Sequence, residues 1–341
     1  MSRGWGLVLT LLAAVGPAAA EPVADVHLHY NWDQAELITP AAAVARLKQQ
    51  QVVLAVVTGM PPELALEIRQ AGGDWVLPLY GPYGSPAARS TWHLDTTLVG
   101  RARQALASGK YVGLGEIHLI SGVRPGRDNP VFNGLMALAD EFDAPVLLHT
   151  EAADPRYFID ICRRHPAVRI LWAHAGGLLG ADAAHAVLQR CPNVWIELSA
   201  RDPWRYTRSP ITDAEGNLLP GWRSVIMEHP GRFMIGSDPV WPVTQRFAWD
   251  QADTGWDRLE AFLDFHRRWL AGLPPDLARR VRLDNALAFF RTGPGAFRRG
   301  PGRKLPIVDP SPSIARGPSA RPAARVPGPG AGYRRMQPAG D

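Results

Sequence analysis

Two histidines near the N-terminus, His27 and His29, have the types and the spacing of a metal-binding pair. They lie on or next to an apolar run, Val23 to Leu28, that is typical of a β-strand. Side chains alternate along a strand, so both imidazoles are expected on one face, with Asp25 on the same face. Two imidazoles so placed can bind one metal ion. A strand that merely contains two histidines is the alternative.

Later in the chain, four more residues of metal-binding type end or nearly end short apolar runs: Glu116, His149, His174 and Asp238. In a parallel barrel the C-terminal ends of all strands meet at one face. We therefore expect these residues to join His27 and His29 in one cluster. Histidine and carboxylate ligands without a thiolate favour a divalent metal, zinc first and manganese or iron as alternatives. The cluster is large enough for one or two ions.

The elements that must position these residues are eight predicted strands that alternate with eight predicted helices. The strands begin at Val23, Val52, Trp75, Tyr111, Pro145, Val168, Val194 and Phe233. They are nearly continuous apolar runs, as expected for strands that are buried on both faces. The alternation predicts an α/β protein with a (β/α)8 TIM barrel. A doubly wound open sheet is the alternative, but no Gly-rich phosphate loop follows the first strand.

Three segments of different composition divide the chain of 341 residues. Residues 1–20 combine Arg3, the apolar run Trp5 to Val15 and an Ala-rich end, which is typical of a secretory signal peptide cleaved after Ala20. Residues 21–292 contain the predicted barrel. Residues 293–341 are rich in Pro, Gly, Ala and Arg without periodicity, and this composition predicts a disordered tail. We expect an exported protein, periplasmic or secreted, with no stable membrane insertion after signal removal.

The positive net charge of the chain, +5, arises in the tail. Residues 293–341 contain nine Lys or Arg and two acidic residues, so residues 1–292 have a net charge of about −2. A slightly acidic folded part does not favour nucleic-acid binding, and we expect a small-molecule substrate instead. The oligomeric state does not follow from the sequence.

The two cysteines of the chain, Cys162 and Cys191, fall on consecutive predicted helices. Export would permit a disulfide between them. Two buried free thiols are the alternative, because the distance between the two Cα atoms does not follow from sequence.

The order of the metal-binding residues, HxH and then Glu, His, His and Asp, resembles the amidohydrolase superfamily of metal-dependent hydrolases. The segments Gly115-Glu116-Ile117, Ala173-His174-Ala175-Gly176 and Gly236-Ser237-Asp238-Pro239 are most similar to its amidohydrolase-related branch and TatD-like relatives. The stretch Asp284 to Phe290 resembles the closing helix of that branch. The branch includes hydrolases, decarboxylases and proteins with no assigned activity.

The resemblance implies that His27, His29 and Asp238 hold a first metal ion. It implies that His149 and His174 hold a second ion, or that one of them binds substrate. Glu116 corresponds to a carboxylate that bridges two ions in TatD-like relatives. Other superfamily members use a carbamylated lysine, but no lysine ends a strand here.

The implied reaction is hydrolysis of a small ester, lactone, amide or phosphoester. Asp238 would take a proton from the attacking water and deliver it to the leaving group, with His174 as a second catalytic residue. Four residues are candidates for substrate binding: His118, Glu151, Arg201 and Trp241. Arg201 begins a long loop, residues 201–220, that is either a substrate lid or a surface insertion. A metal-dependent decarboxylase and a metal-retaining binding protein are the alternative functions.

Overall fold

The computed structural model describes residues 21–119, 125, 128–151, 154–205, 209–242 and 251–290. The predicted signal peptide and the predicted tail lie outside the described residues. Within these ranges, no helix is both long and apolar enough to span a membrane.

Eight strands in the described ranges form one sheet in which each strand pairs in parallel with the next. They are β1 Val23–His29, β2 Val52–Thr58, β3 Val76–Tyr80, β4 Gly113–Leu119, β5 Val146–Thr150, β6 Ile170–Trp172, β7 Val194–Glu197 and β8 Phe233–Met234. Two backbone hydrogen bonds join β1 to the segment after β8: Val26 N–H donates to Ile235 O at 3.1 Å, and Asp238 N–H donates to His27 O at 2.8 Å. The prediction of a (β/α)8 TIM barrel is confirmed.

Helices lie between successive strands and also follow β8 in sequence, and proline or a polar cap begins several of them. They are α1 Trp32–Ala35, α2 Pro40–Gln49, α3 Glu63–Gly72, α4 Leu98–Ala107, α5 Pro130–Glu141, α6 Pro155–Arg164, α7 Ala181–Arg190, α8 Pro220–Glu228, α9 Leu259–Leu270, α10 Pro275–Arg279 and α11 Asn285–Phe289. The Thr39 hydroxyl accepts from Ala42 N–H before α2, and the Asn129 side chain accepts from two N–H groups of α5. A π-helical turn, Arg280–Asp284, separates α10 from α11.

Alternate strand residues form the apolar interior of the barrel. One buried cluster contains Val56, Leu77, Leu147, Leu171, Trp195, Met234 and, from the closing helix, Phe289. A second, larger cluster combines the other strand residues with the helices. The polar site lies directly above this interior, at the next inward-facing position of the strands. His149 is two residues after Leu147, and Glu197 is two residues after Trp195.

Two details of the strands differ from the prediction and affect the site. Strand β4 continues past Ile117 to Leu119, so His118 lies within the strand, two residues from Glu116 and on its face. Strand β1 has a register shift against β2 between Asp25 and Leu28, so simple alternation does not hold across this segment.

A disulfide joins Cys162 of α6 to Cys191 at the end of α7, with the two Cα atoms 5.9 Å apart. This distance lies within the range that a disulfide requires. Of the two alternatives for these cysteines, the structure contains the bridge.

Candidate metal centre

Four ligand atoms from three parts of the barrel converge above the apolar interior. The Nε2 atoms of His27 and His29 lie 3.1 Å apart, and Glu116 Oε2 lies 3.5 Å and 3.1 Å from them. Asp238 Oδ1 is 3.9 Å from His27 Nε2 and 3.4 Å from His29 Nε2. Donors at about 2.0–2.1 Å from a tetrahedral zinc ion lie about 3.3 Å from one another. The spacing of these four atoms therefore fits one divalent cation.

The second carboxylate oxygen of Glu116 faces a second group of ligand atoms. Glu116 Oε1 lies 2.8 Å from His149 Nδ1 and 3.7 Å from His174 Nε2. Asp238 Oδ2 lies 4.0 Å from His174 Nε2. Glu116 thus lies between two ligand groups, one on each of its oxygens. This donor set fits a second cation, with Glu116 and Asp238 shared between the two positions.

Two of these residues have unusual backbone conformations. His174 and Asp238 have φ angles of 55° and 45°, in the left-handed region that side chains with a Cβ rarely adopt. Both are held by hydrogen bonds, because His174 N–H donates to Glu197 Oε1 at 2.8 Å and Asp238 N–H donates to the His27 carbonyl. Strained backbone of this kind occurs at binding and catalytic sites, where the surrounding structure over-determines it.

Glu197, at the end of β7, is a functional residue that the sequence analysis did not select. Its Oε1 accepts from His27 Nδ1–H at 2.9 Å and from the Ser199 hydroxyl at 3.1 Å, and its Oε2 accepts from Ser199 N–H at 2.8 Å. The bond to Nδ1 sets the tautomer of His27 and turns its Nε2 lone pair towards the ligand cluster. The signal in the sequence was a single carboxylate inside the apolar run from Val194 to Leu198.

The loop that carries Asp238 is fixed from several sides. Arg205 donates to the carbonyls of Ser237 and Asp238 at 2.9 Å and 2.6 Å. Asp25 Oδ1 accepts from Ser237 N–H at 2.9 Å, and burial raises the pKa of Asp25 to about 7. A Cβ on Gly236 would lie 2.7 Å from His27 Cβ, so only glycine fits between β1 and this loop. The position of Asp238 is thus determined by buried contacts.

Burial and neighbouring charges act in opposite directions on the ionisable groups of the cluster. Burial raises the pKa of Glu116, but the imidazoles of His118, His27 and His149 outweigh it and hold the pKa well below its usual range. Burial lowers the pKa of His27, and Glu116, Glu197 and Asp238 outweigh it and raise the pKa. Burial also lowers the pKa of His149, and Glu116 and Glu151 outweigh it and raise the pKa to about 9. The carboxylates therefore favour positive charge here, which a bound cation also supplies.

Two of the predicted substrate-binding residues, His118 and Glu151, lie in contact with this cluster. His118 Nε2 is 3.2 Å from Glu116 Oε2, and Glu151 Oε1 is 3.1 Å from His149 Nε2. Tyr83 and Arg89, which also contact His118, were not predicted from the sequence. Tyr83 Oη lies 2.9 Å from Nδ1, and Arg89 lies 3.0 Å from Nε2.

The other two predicted substrate-binding residues, Arg201 and Trp241, have partners of their own. Trp241 donates its backbone N–H to Asp253 at 2.7 Å, and the Arg258 guanidinium lies 4.6 Å from the centre of its ring. Arg201 is fully buried, and burial lowers its pKa to about 9. It donates to the carbonyls of Gly177 and Leu179, and its guanidinium lies over the Trp222 ring.

The placement of Arg201 differs from the predicted role in substrate binding, because its guanidinium donates to buried backbone carbonyls. The physical reason is that Arg201 turns inward, as do Asp202 and Arg205, so its guanidinium compensates backbone carbonyls that burial would otherwise leave unpaired. The base of the predicted lid loop is therefore a packed part of the barrel, and Arg205 belongs to it.

The chain matches the amidohydrolase family over residues 24–292, and it belongs to that family. Among curated proteins, none matches this sequence.

Solved structures of low sequence identity share the fold. A protein of Agrobacterium tumefaciens in apo form is 14% identical, with a TM-score of 0.51 and coverage of 81% of this chain and 98% of that one. A probable 2-pyrone-4,6-dicarboxylic acid hydrolase of Acinetobacter baumannii, with citric acid bound, is 15% identical, with a TM-score of 0.50 and coverage of 80% and 100%. At these identities the likeness concerns the fold alone.

Proposed function

We propose that this protein is a metal-dependent hydrolase of small esters, lactones, amides or phosphoesters. The observation that carries the proposal is the convergence of four ligand atoms. The Nε2 atoms of His27 and His29 lie 3.1 Å apart, and Glu116 Oε2 and Asp238 Oδ1 lie 3.1–3.9 Å from them. Asp238 also supplies, beside the cation position, a carboxylate that can accept a proton, and this favours an enzyme over a protein that only binds a ligand.

When bound there, a divalent cation supplies a Lewis acid that polarises the bond under attack and acidifies a water. Asp238 is placed to accept a proton from the attacking water and to deliver it to the leaving group. Its left-handed backbone and the two bonds from Arg205 hold the carboxylate in one orientation. Glu197 keeps the His27 imidazole in the tautomer that presents Nε2 as a ligand.

Zinc is the proposed metal, with manganese or iron as alternatives, because the donor set combines imidazoles and carboxylates. The two faces of Glu116 support two ions. The proposed compartment is outside the cytoplasm, periplasmic or secreted. The Cys162–Cys191 disulfide supports it, because such bridges persist mainly in oxidising environments.

The test is a metal analysis of the purified protein followed by a panel of ester, lactone, amide and phosphoester substrates. Asp238→Asn is compared with the wild type in metal content and in rate, because it keeps the shape and removes a carboxylate that is both a cation ligand and the proton acceptor. We expect hydrolysis that a chelator abolishes, that zinc or manganese restores, and that Asp238→Asn lacks. Release of carbon dioxide from an aromatic or enoic acid, with no hydrolysis in the panel, would replace this proposal with a decarboxylase. Tight metal binding without either reaction would indicate a binding protein.

A further inference from the structure

A second group of metal-ligating side chains lies outside the barrel, where helix α7 packs against helix α8. His185 belongs to α7, Glu228 is the last residue of α8, and His229 follows it. His185 Nδ1 lies 3.2 Å from His229 Nε2 and 3.6 Å from Glu228 Oε2. The three ligand atoms all lie within 4.8 Å of one another.

The separations match those of ligands around one metal ion. Two donors bound to a tetrahedral zinc ion at about 2.0–2.1 Å lie about 3.3 Å apart. The two distances from His185 Nδ1 fall on either side of that value. The side chains are partly open to solvent, 28% exposed for His185 and 55% for Glu228, so a cation can reach them and keep water in its remaining positions.

Gln189, one turn along α7, gives His185 the support that metal-binding histidines usually have. Its side-chain amide lies 2.7 Å from His185 Nε2. When Nε2 is unprotonated, the amide donates to Nε2 and Nδ1–H donates to His229 Nε2. A cation at Nδ1 requires the proton on Nε2, and the Gln189 amide can accept it after a half-turn that exchanges its oxygen and nitrogen. The Nδ1 proton moves to Nε2 through solvent, so the imidazole stays neutral and only the Gln189 amide turns.

We propose that His185, Glu228 and His229 form a surface metal site for a first-row divalent cation such as zinc, separate from the catalytic centre. Two imidazoles and one carboxylate are ligands that zinc, nickel and copper accept. An ion bound there connects α7 to the end of α8. It stabilises the folded protein because the three ligands come together only when those helices are packed.

The experiment counts zinc on the full chain by equilibrium dialysis and elemental analysis, comparing the wild type with His185→Asn and Glu228→Gln. Zinc bound in the catalytic centre is present in the wild type and in each variant, so it cancels when their zinc contents are subtracted. We expect the wild type to bind one more zinc per chain than His185→Asn at saturation. Glu228→Gln is expected to bind that ion at least tenfold more weakly. Glu215→Gln, which removes another exposed carboxylate, is the matched control and should bind zinc like the wild type.

Thermal unfolding supplies a second readout that does not depend on catalysis. In chelator, His185→Asn should melt at the wild-type temperature, which shows that the variant folds. Added zinc should raise the melting temperature of the wild type by a few degrees more than that of the variant. Equal zinc content and equal zinc-induced shifts in the two proteins would overturn the proposal. Failure of the substrate panel would not affect it, because neither readout involves turnover.

Discussion

The Nδ1 atom of His27 lies 2.9 Å from Oε1 of Glu197, and this contact connects strand β1 to strand β7 beside the ligand cluster. Both side chains are fully buried. With Nδ1 held by the carboxylate, Nε2 faces His29 and Glu116, where a cation that displaces its proton would bind the lone pair. The orientation of a predicted metal ligand therefore depends on a residue from a different strand.

Replacing Glu197 with Gln should weaken metal binding by about 10–100-fold, because the charge that orients His27 is lost. Both oxygens of Glu197 accept hydrogen bonds, so the NH2 group of the glutamine would face one of these donors. We expect this unpaired contact to lower the free energy of unfolding by about 1–3 kcal/mol. Competition with a chromophoric chelator measures the affinity. Glu141→Gln, an exposed carboxylate on α5, is the control. Wild-type affinity in Glu197→Gln would contradict the role assigned to this residue.

Replacing Glu116 with Gln tests the number of metal ions. The change keeps the shape but removes the charge that offsets the repulsion between two cations. The ion held by His149 and His174 should be lost first, leaving about one ion per chain at His27, His29 and Asp238. Elemental analysis measures the content, and hydrolysis should fall by orders of magnitude if both ions are needed. If the wild type contains one ion and the variant matches it in metal and rate, Glu116 is structural and the decarboxylase becomes the better proposal.

Removing the metal should lower the thermal stability of the protein. A ligand that binds only the folded state adds about 2.7 kcal/mol to the free energy of unfolding when its concentration is 100 times its Kd. We expect chelation to lower the melting temperature by several degrees and zinc or manganese to restore it. An unchanged melting curve, with metal loss verified by elemental analysis, would exclude a tightly held centre.

His266 should make the protein less stable in acid. Its Nε2–H donates to Gly236 O at 2.9 Å, its Nδ1 accepts from Trp269, and burial lowers its pKa to about 3. The unfolded chain binds a proton near pH 6.5, whereas the folded protein does not until about pH 3. Stability from His266 is therefore complete above pH 6.5 and decreases as the pH falls, by up to about 1.4 kcal/mol per pH unit.

The comparison that isolates this effect is urea unfolding of the wild type and His266→Gln at pH 7 and at pH 5. The variant should be less stable at pH 7 because the Gly236 and Trp269 contacts are impaired. Its further loss of stability between pH 7 and pH 5 should be smaller than that of the wild type. Parallel losses in the two proteins would show that His266 is protonated in the folded state.

The Cys162–Cys191 bridge should contribute about 3–4 kcal/mol to the free energy of unfolding, since it closes a loop with a sequence separation of 29 residues. Urea unfolding of the double variant Cys162→Ser, Cys191→Ser measures this difference. Reduced wild type is the control and should behave like the double variant. A change below about 1 kcal/mol would indicate that the unfolded chain is hardly restricted by the bridge.

Much of the protein followed from the sequence by local rules. Apolar runs of strand length, alternating with capped helices, are enough to predict a parallel barrel, because strands buried on both faces need helices around them. In such a barrel the C-terminal ends of the strands converge, so the sequence alone predicts that His29, His149 and His174 lie close together.

Other features depended on contacts between residues far apart in the chain. The role of Glu197 arises from its bond to His27, 170 positions away. Arg201 carried the charge expected of a substrate clamp, yet the direction of its loop placed it among backbone carbonyls. The pairing of Cys162 with Cys191 and the meeting of His185 with His229 likewise required the packing of α6, α7 and α8. Sequence periodicity determined which face of each element is buried, but only the tertiary structure decided which side chains meet, because partner choice depends on loop direction and on packing between elements.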